Sequence, residues 1–124
     1  MQPILIVESD PETRSLLSRI LKSEGLEVIE APGVQDALEV SRCAAPGLLL
    51  VDGGEGMQDS ADLVEALLRE LGETAPPAIS LSTTENEGDR ARRAGARHVL
   101  RKPFSVETLL TAVRAHRRST IPAP

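Results

Sequence analysis

Two short aliphatic runs each end abruptly in an acid: Ile4-Leu5-Ile6-Val7 meets Glu8, and Leu48-Leu49-Leu50-Val51 meets Asp52. Four consecutive aliphatic residues closed off in this way predict strands buried on both faces, the mark of a parallel sheet with helices on either side. In such sheets, sites form beyond the carboxyl ends of the strands, where the winding direction reverses. If these two strands are neighbours there, Glu8 and Asp52 converge on one crevice.

The rest of the chain supplies the units that such a sheet needs. Asp10-Pro11-Glu12 starts a helix, with an N-cap acid, Pro at the first helical position and an acid near the positive dipole end. Leu16, Leu17, Ile20 and Leu21 make its apolar face, and Gly25 stops it. Leu26–Glu30 reads as a short strand whose two Glu residues suit an edge. A weaker helix over Val34–Ala44 turns Ala37, Leu38 and Ser41 inward and breaks at Pro46-Gly47. Strand Leu48–Asp52 opens into the loop Gly53-Gly54-Glu55-Gly56. A third helix covers Ser60–Leu71, with Leu63, Val64, Leu67, Leu68 and Leu71 on its buried face. Pro76-Pro77 leads into strand Ala78–Ser82. A polar helix over Glu85–Ala94 is weakened by Gly88, which costs about 1 kcal/mol against Ala in a helix interior. Ala96–Arg101 is the last strand, and Ser105 caps a helix that buries Val106, Leu109, Leu110 and Val113. Five βα units in this order predict an α/β domain over residues 1–118, followed by a linker-like tail at 119–124.

At 124 residues the chain can enclose one core but not two. With no Trp or Tyr, and Phe104 the only aromatic, that core must be aliphatic. The lone Cys43 cannot form an internal disulfide and no secretory signal precedes the first strand, so a reducing cytoplasm is expected. No apolar run approaches the roughly 20 residues that span a bilayer. The net charge of −5 conceals an asymmetry. Residues 1–89 carry 5 basic and 18 acidic side chains, whereas residues 90–124 carry 9 and 1. Because the whole chain is acidic and lacks stacking aromatics, this polarity argues against nucleic acid and for a surface that meets protein partners.

Several fragments in order make the chain resemble the receiver domain of bacterial two-component response regulators. They are Ile4-Leu5-Ile6-Val7-Glu8-Ser9-Asp10-Pro11, Asp52 after its aliphatic run, Ile79-Ser80-Leu81-Ser82, Ala94-Gly95-Ala96 and Lys102-Pro103-Phe104. The resemblance implies a flavodoxin-like, doubly wound five-stranded parallel sheet of order 2-1-3-4-5 with five helices, which makes the first and third strands neighbours. It implies that Asp52 accepts a phosphoryl group from a histidine kinase or phosphotransfer protein. A carboxylate attacking a phosphoryl centre needs its negative charge neutralised, and a magnesium ion in oxygen coordination does this in the family. Glu8, Asp52 and the backbone carbonyl of Gly54 are the implied ligands. Lys102 is implied as a point charge on the phosphoryl oxygens and Ser82 as a hydrogen-bond donor to one of them. The Lys102-Pro103 bond is implied to be cis.

Departures from the family pattern bear on each role. Ser9 stands where the family carries a metal-contacting acid, and a neutral hydroxyl is a poor ligand for a hard dication, so magnesium affinity is expected to be weak or absent. The loop after Asp52 lacks the usual Pro and has extra glycines. Val99 replaces the aromatic that swings inward in many receivers, and Thr83 replaces a small residue, usually Ala. Two mechanisms therefore stay open. Either Asp52 is phosphorylated and the change passes through Ser82 and Lys102, or the domain is a pseudo-receiver that binds partners without phosphorylation. A flavin-type cofactor domain of the same architecture is disfavoured by the acidic Glu8-Ser9-Asp10 loop. With neither histidine placed as a base for Ser9 or Ser82, a non-enzymatic signalling role through protein contacts is expected.

Arg90, Arg93, Arg97 and Arg101 fall around the fourth helix and last strand and are read as a partner-docking face, used by a downstream protein, a tethered output domain or a second copy in a homodimer. Arg114, Arg117 and Arg118 suit a helix C-terminus equally well. Asp10 is better explained as a helix cap than as a stand-in for the missing acid. His98 and His116 are expected to be solvated, and Cys43 to be buried filler.

Overall fold

The computed structural model describes residues 2–53 and 58–118. The implied ligand Gly54 and the tail at 119–124 therefore lie outside the described residues. Strands β1 (Ile4–Val7), β2 (Val28–Ala31), β3 (Leu48–Asp52), β4 (Ala78–Ser82) and β5 (His98–Arg101) alternate with helices α1 (Pro11–Ser23), α2 (Val34–Ala44), α3 (Ser60–Leu71), α4 (Glu85–Ala94) and α5 (Val106–His116). All pairings are parallel and the strand order is β2-β1-β3-β4-β5, as the resemblance implied. Ile4 through Val7 pair with Leu48 through Val51, so Glu8 and Asp52 leave the sheet side by side.

Side chains alternate across the sheet and build two aliphatic layers. Ile4, Ile6, Leu48, Leu50, Ile79 and Leu81 pack with Leu17, Leu21, Leu109 and Val113 of α1 and α5. Leu5, Val7, Leu49, Val51 and Ala78 pack with Leu38, Val64, Leu67 and Ala91 of α2, α3 and α4. Ser80 and Ser82 share the face of Ala78 by the same alternation, and so lie on the α3–α4 side.

Two strands begin two residues later than the sequence predicts, for one physical reason. Gly25 and Gly95 both have positive φ, 78° and 115°. The amides of Leu26 and Ala96 then bond the carbonyls of Leu21 and Ala91 at 3.2 and 2.9 Å. Each helix is thus closed by a Schellman turn, and Leu26 and Ala96 serve that cap instead of the sheet, although both side chains are buried. Other expectations are also corrected. The buried stripe of α1 runs through Leu17, Ser18 and Leu21, leaving Leu16 51% exposed. Val106, at the first position of α5, is 50% exposed. Cys43 is exposed, across α2 from buried Ala37 and Leu38. His98 and His116 are half-buried and stack on each other with ring centroids 4.8 Å apart.

Gly88 sits in α4 despite its helix propensity because the helix lies close on the sheet. A Cβ there would be 3.0 Å from Val99 Cγ1 and 3.9 Å from Ser82 Oγ.

Candidate functional site

A crevice of about 730 Å³ opens at the carboxyl ends of β1, β3 and β4. Glu8, Ser9, Asp10, Asp52 and Lys102 line it, together with Thr83 and two acids that the sequence did not single out, Asp59 and Glu87. Lys102 Nζ donates to Asp52 Oδ1 at 2.7 Å, and the Asp52 side chain is only 3% exposed. The Lys102-Pro103 bond is cis. The backbone positions this pair: Ser82 is paired with Arg101, and the Lys102 amide donates to the Ser82 carbonyl at 2.8 Å.

Glu8 is fully buried. Its Oε1 accepts from the Asp10 amide at 2.9 Å, while Oε2 is buried with no hydrogen-bond partner. Burial, and then the negative charge and the side-chain hydrogen bonding of Asp52, push its carboxyl up to about 7, although the Asp10 amide and Lys102 pull the other way. Ser9 is exposed on the crevice wall. Asp10 caps α1, accepting from the Thr13 hydroxyl at 2.6 Å and the Thr13 amide at 3.0 Å, which hold its carboxyl below the ordinary range. Among the described residues, no third Asp, Glu, His or Cys joins a pair closely enough to form a three-ligand metal group.

Ser82 is not on the crevice wall. It is fully buried beneath α4, and its Oγ lies 2.9 Å from Ser80 Oγ and 3.4 Å from Ser60 Oγ. Ser60 and Ser80 are themselves fully buried and 2.6 Å apart, and Ser60 Oγ donates to Glu87 Oε2 at 2.7 Å. Glu87 also accepts from the Ser60 amide at 2.9 Å and from the Thr83 amide and hydroxyl at 2.8 and 3.1 Å. Burial would raise its carboxyl, but these donors outweigh burial and hold it below the usual range. The only sequence trace of this group was Ser80-Leu81-Ser82, two hydroxyls on one face of a strand.

Gly53 joins the two groups. A Cβ at Gly53 would lie 2.4 Å from the Ser60 nitrogen and 2.5 Å from Asp59 Cα, so the chain after Asp52 runs directly against the start of α3. Asp59 caps α3 in a capping box with Asp62. Arg90 from α4 pairs with Asp59 and lies 3.5 Å from Asp62. Of the four arginines read as a docking face, Arg90 is thus tied to α3, and Arg101 Nε donates to the Thr83 carbonyl at 3.0 Å. Arg93 and Arg97 are exposed.

Residues 4–114 match the model of the response regulator receiver domain. The chain belongs to that family. As a receiver domain it is 38% identical over 117 residues to the 14.6 kDa protein in the sodA1 3′ region of Leptolyngbya boryana, covering 91% of this chain and 88% of that one. It is 31% identical to protein PilH of Pseudomonas aeruginosa, covering 93% and 97%. Its match to the KDP operon transcriptional regulatory protein KdpE of Escherichia coli, at 32% identity, covers the whole of this chain but 56% of the relative. Among solved structures, the chemotaxis protein CheY4 of Vibrio cholerae shares the fold with a TM-score of 0.79 at 24% identity, covering 94% and 98% of the chains. A signal receiver domain from Bermanella marisrubri gives 0.82 at 23%, covering 92% and 96%. Two-component signalling is therefore this receiver domain's setting. Among the described residues no helix is long and apolar enough to cross a membrane.

Proposed function

We propose that this receiver domain takes a phosphoryl group on Asp52 from a histidine kinase or phosphotransfer protein, at a site whose metal affinity is reduced by Ser9. The observation that carries this is the buried carboxylate pair. Glu8 Oε2 has no partner, and Glu8 is driven toward its neutral form beside Asp52, while Lys102 brings a single positive charge, bonded to Asp52 Oδ1. Two carboxylates with one orphaned buried oxygen fit a hard divalent cation. Glu8 and Asp52 would hold the magnesium, with Gly54 as the expected backbone ligand and Ser9 contributing only a hydroxyl. The bound ion supplies charge neutralisation for the incoming phosphoryl oxygens.

The chain's own residues do the rest. An oxygen of Asp52 forms the new O–P bond as the N–P bond to the donor imidazole breaks and its electron pair returns to that ring. Lys102 meets the phosphoryl oxygens as a point charge. The consequence is a changed surface and not turnover of a small molecule. Exposed Arg93 and Arg97 are the candidate contacts for a downstream protein, a tethered output domain or a second copy. We read the site of action as the cytoplasm.

Backbone-amide NMR with magnesium, then with magnesium and beryllofluoride, tests this assignment. Saturable shifts at Asp52 and Lys102 are expected, and Ser9→Asp is expected to raise magnesium affinity about tenfold by restoring a charged ligand. Unchanged spectra in both proteins at high magnesium would leave the phosphorylation-independent pseudo-receiver as the correct description.

A further inference from the structure

We infer that Glu87, acting through Ser60 and Ser80, holds the Ser82 hydroxyl turned away from Asp52, so that Ser82 is a latched switch residue and Glu87 its positioning residue. The inference deepens the assignment of Asp52 as phosphoacceptor and rests on it only where a phosphoryl group enters.

Hydrogen-bond direction fixes the latch. Both Glu87 oxygens face amide N–H groups, which only donate: Ser60 N–H on Oε2 and Thr83 N–H on Oε1. The Ser60 hydroxyl therefore gives its single proton to Glu87 Oε2. In the 2.6 Å contact with Ser80, Ser60 can then only accept, so Ser80 is the donor. In the 2.9 Å contact with Ser82, Ser80 can only accept in turn. The remaining 3.4 Å contact of Ser82 with Ser60 also requires Ser82 to donate. Every step runs toward the carboxylate, and the only hydroxyl proton of Ser82 is committed to the α3–α4 side. A phosphoryl oxygen on Asp52 that recruits Ser82 as donor must draw that proton out of the chain.

The latch also joins the elements that would report such a change. Ser60 is the first residue of α3, Thr83 follows β4, and Glu87 lies in the first turn of α4. Gly88 brings α4 down until a Cβ there would lie 3.9 Å from Ser82 Oγ. Turning Ser82 outward alters the surface on which α4 rests and weakens its tie to the start of α3. With Val99 in place of an aromatic, this polar chain offers a route from Asp52 to α4 that needs no ring to move.

Two measurements test it. The first uses the protein without metal or phosphoryl mimic and reads the Ser82 side-chain rotamer from Hα–Hβ couplings. A single rotamer directed toward Ser80 is expected in the wild type, with averaging in Glu87→Gln and in Ser80→Ala. Averaging in the wild type, or a rotamer unmoved by both substitutions, would overturn the latch. The second titrates beryllofluoride with magnesium into wild type and Ser80→Ala. Loss of one buried hydrogen bond from the latched state is expected to tighten binding by about threefold to tenfold. Equal affinity would overturn the competition between latch and phosphoryl group. Absence of binding in both proteins, alongside a latched Ser82 in the first measurement, would instead overturn the role given to Asp52.

Discussion

Glu8 and Glu87 are both buried glutamates on the same crevice, and they are driven in opposite directions. Glu8 accepts from a single amide, lies against the Asp52 carboxylate, and is raised to about 7. Glu87 accepts four hydrogen bonds, two of them from amides, and is held below its ordinary range. Burial alone does not decide whether an acid keeps its charge; the donors arranged around it do. The first region leaves two buried carboxylates beside one lysine. The second is complete and can only be opened.

The sharpest way to break the comparison is Glu87→Leu. It leaves the Ser60 amide and the serine chain without their acceptor and is expected to lower stability by about 3 kcal/mol in a urea melt. An unshifted midpoint would show that the closed region contributes nothing. The contribution has a defined pH window. A carboxyl lowered in the folded state stabilises above the ordinary value of 4.5 and loses this as pH falls through its folded pKa. The gap between wild type and Glu87→Gln should therefore close only below pH 4.5.

Gly53→Ala comes next, at a cost of about 2 kcal/mol, because the added carbon meets the backbone of Asp59 and Ser60 and not a flexible side chain. Thermal melts would read it, and an unchanged midpoint would mean that the start of α3 yields easily.

Glu8→Gln is predicted to act in the other direction. Its folded pKa of about 7 lies above 4.5, so the wild type loses stability as pH rises from 4.5 through 7. The variant lacks that loss and should be more stable than wild type at pH 8, with no gain at pH 4. Equal stability across this range would show that the orphaned oxygen is paired in solution.

The smallest effect belongs to the stacked histidines. Burial, then the charges of His116 and Arg92, lower the pKa of His98, so its contribution is lost as pH falls below 6.5. His116→Ala should raise the pKa of His98, visible in its imidazole proton shifts, and should change stability by a few tenths of a kcal/mol. An unmoved His98 titration would leave burial as the whole cause.

The two aliphatic strands that end at Glu8 and Asp52 were legible because each follows from residues adjacent in sequence, whereas the strand order that makes them neighbours and the approach of Lys102 were implied by the family resemblance. An aliphatic run buried on both faces can occupy only the middle of a parallel sheet, and its last residue marks the crevice. Strand starts were less legible. Leu26 and Ala96 look like strand residues, but their amides are claimed by the preceding helix once a glycine takes positive φ. Ser82, the last residue of β4, was implied as a site residue by the family resemblance, and the direction of its hydroxyl was not legible at all.

The sequence by itself determined the buried strands, the helices between them and the acids that end the first and third strands, since hydrophobic period and local capping act over a few residues. Only the tertiary structure decided that Glu87, 27 residues from Ser60 and five from Ser82, would close a buried chain of hydroxyls. A polar helix with Glu87 beside Gly88 reads as a solvated face until that glycine lets it settle on Val99 and Ser82. Hydrogen-bond satisfaction in a buried space depends on what three separate elements bring to it, and no local pattern encodes that sum.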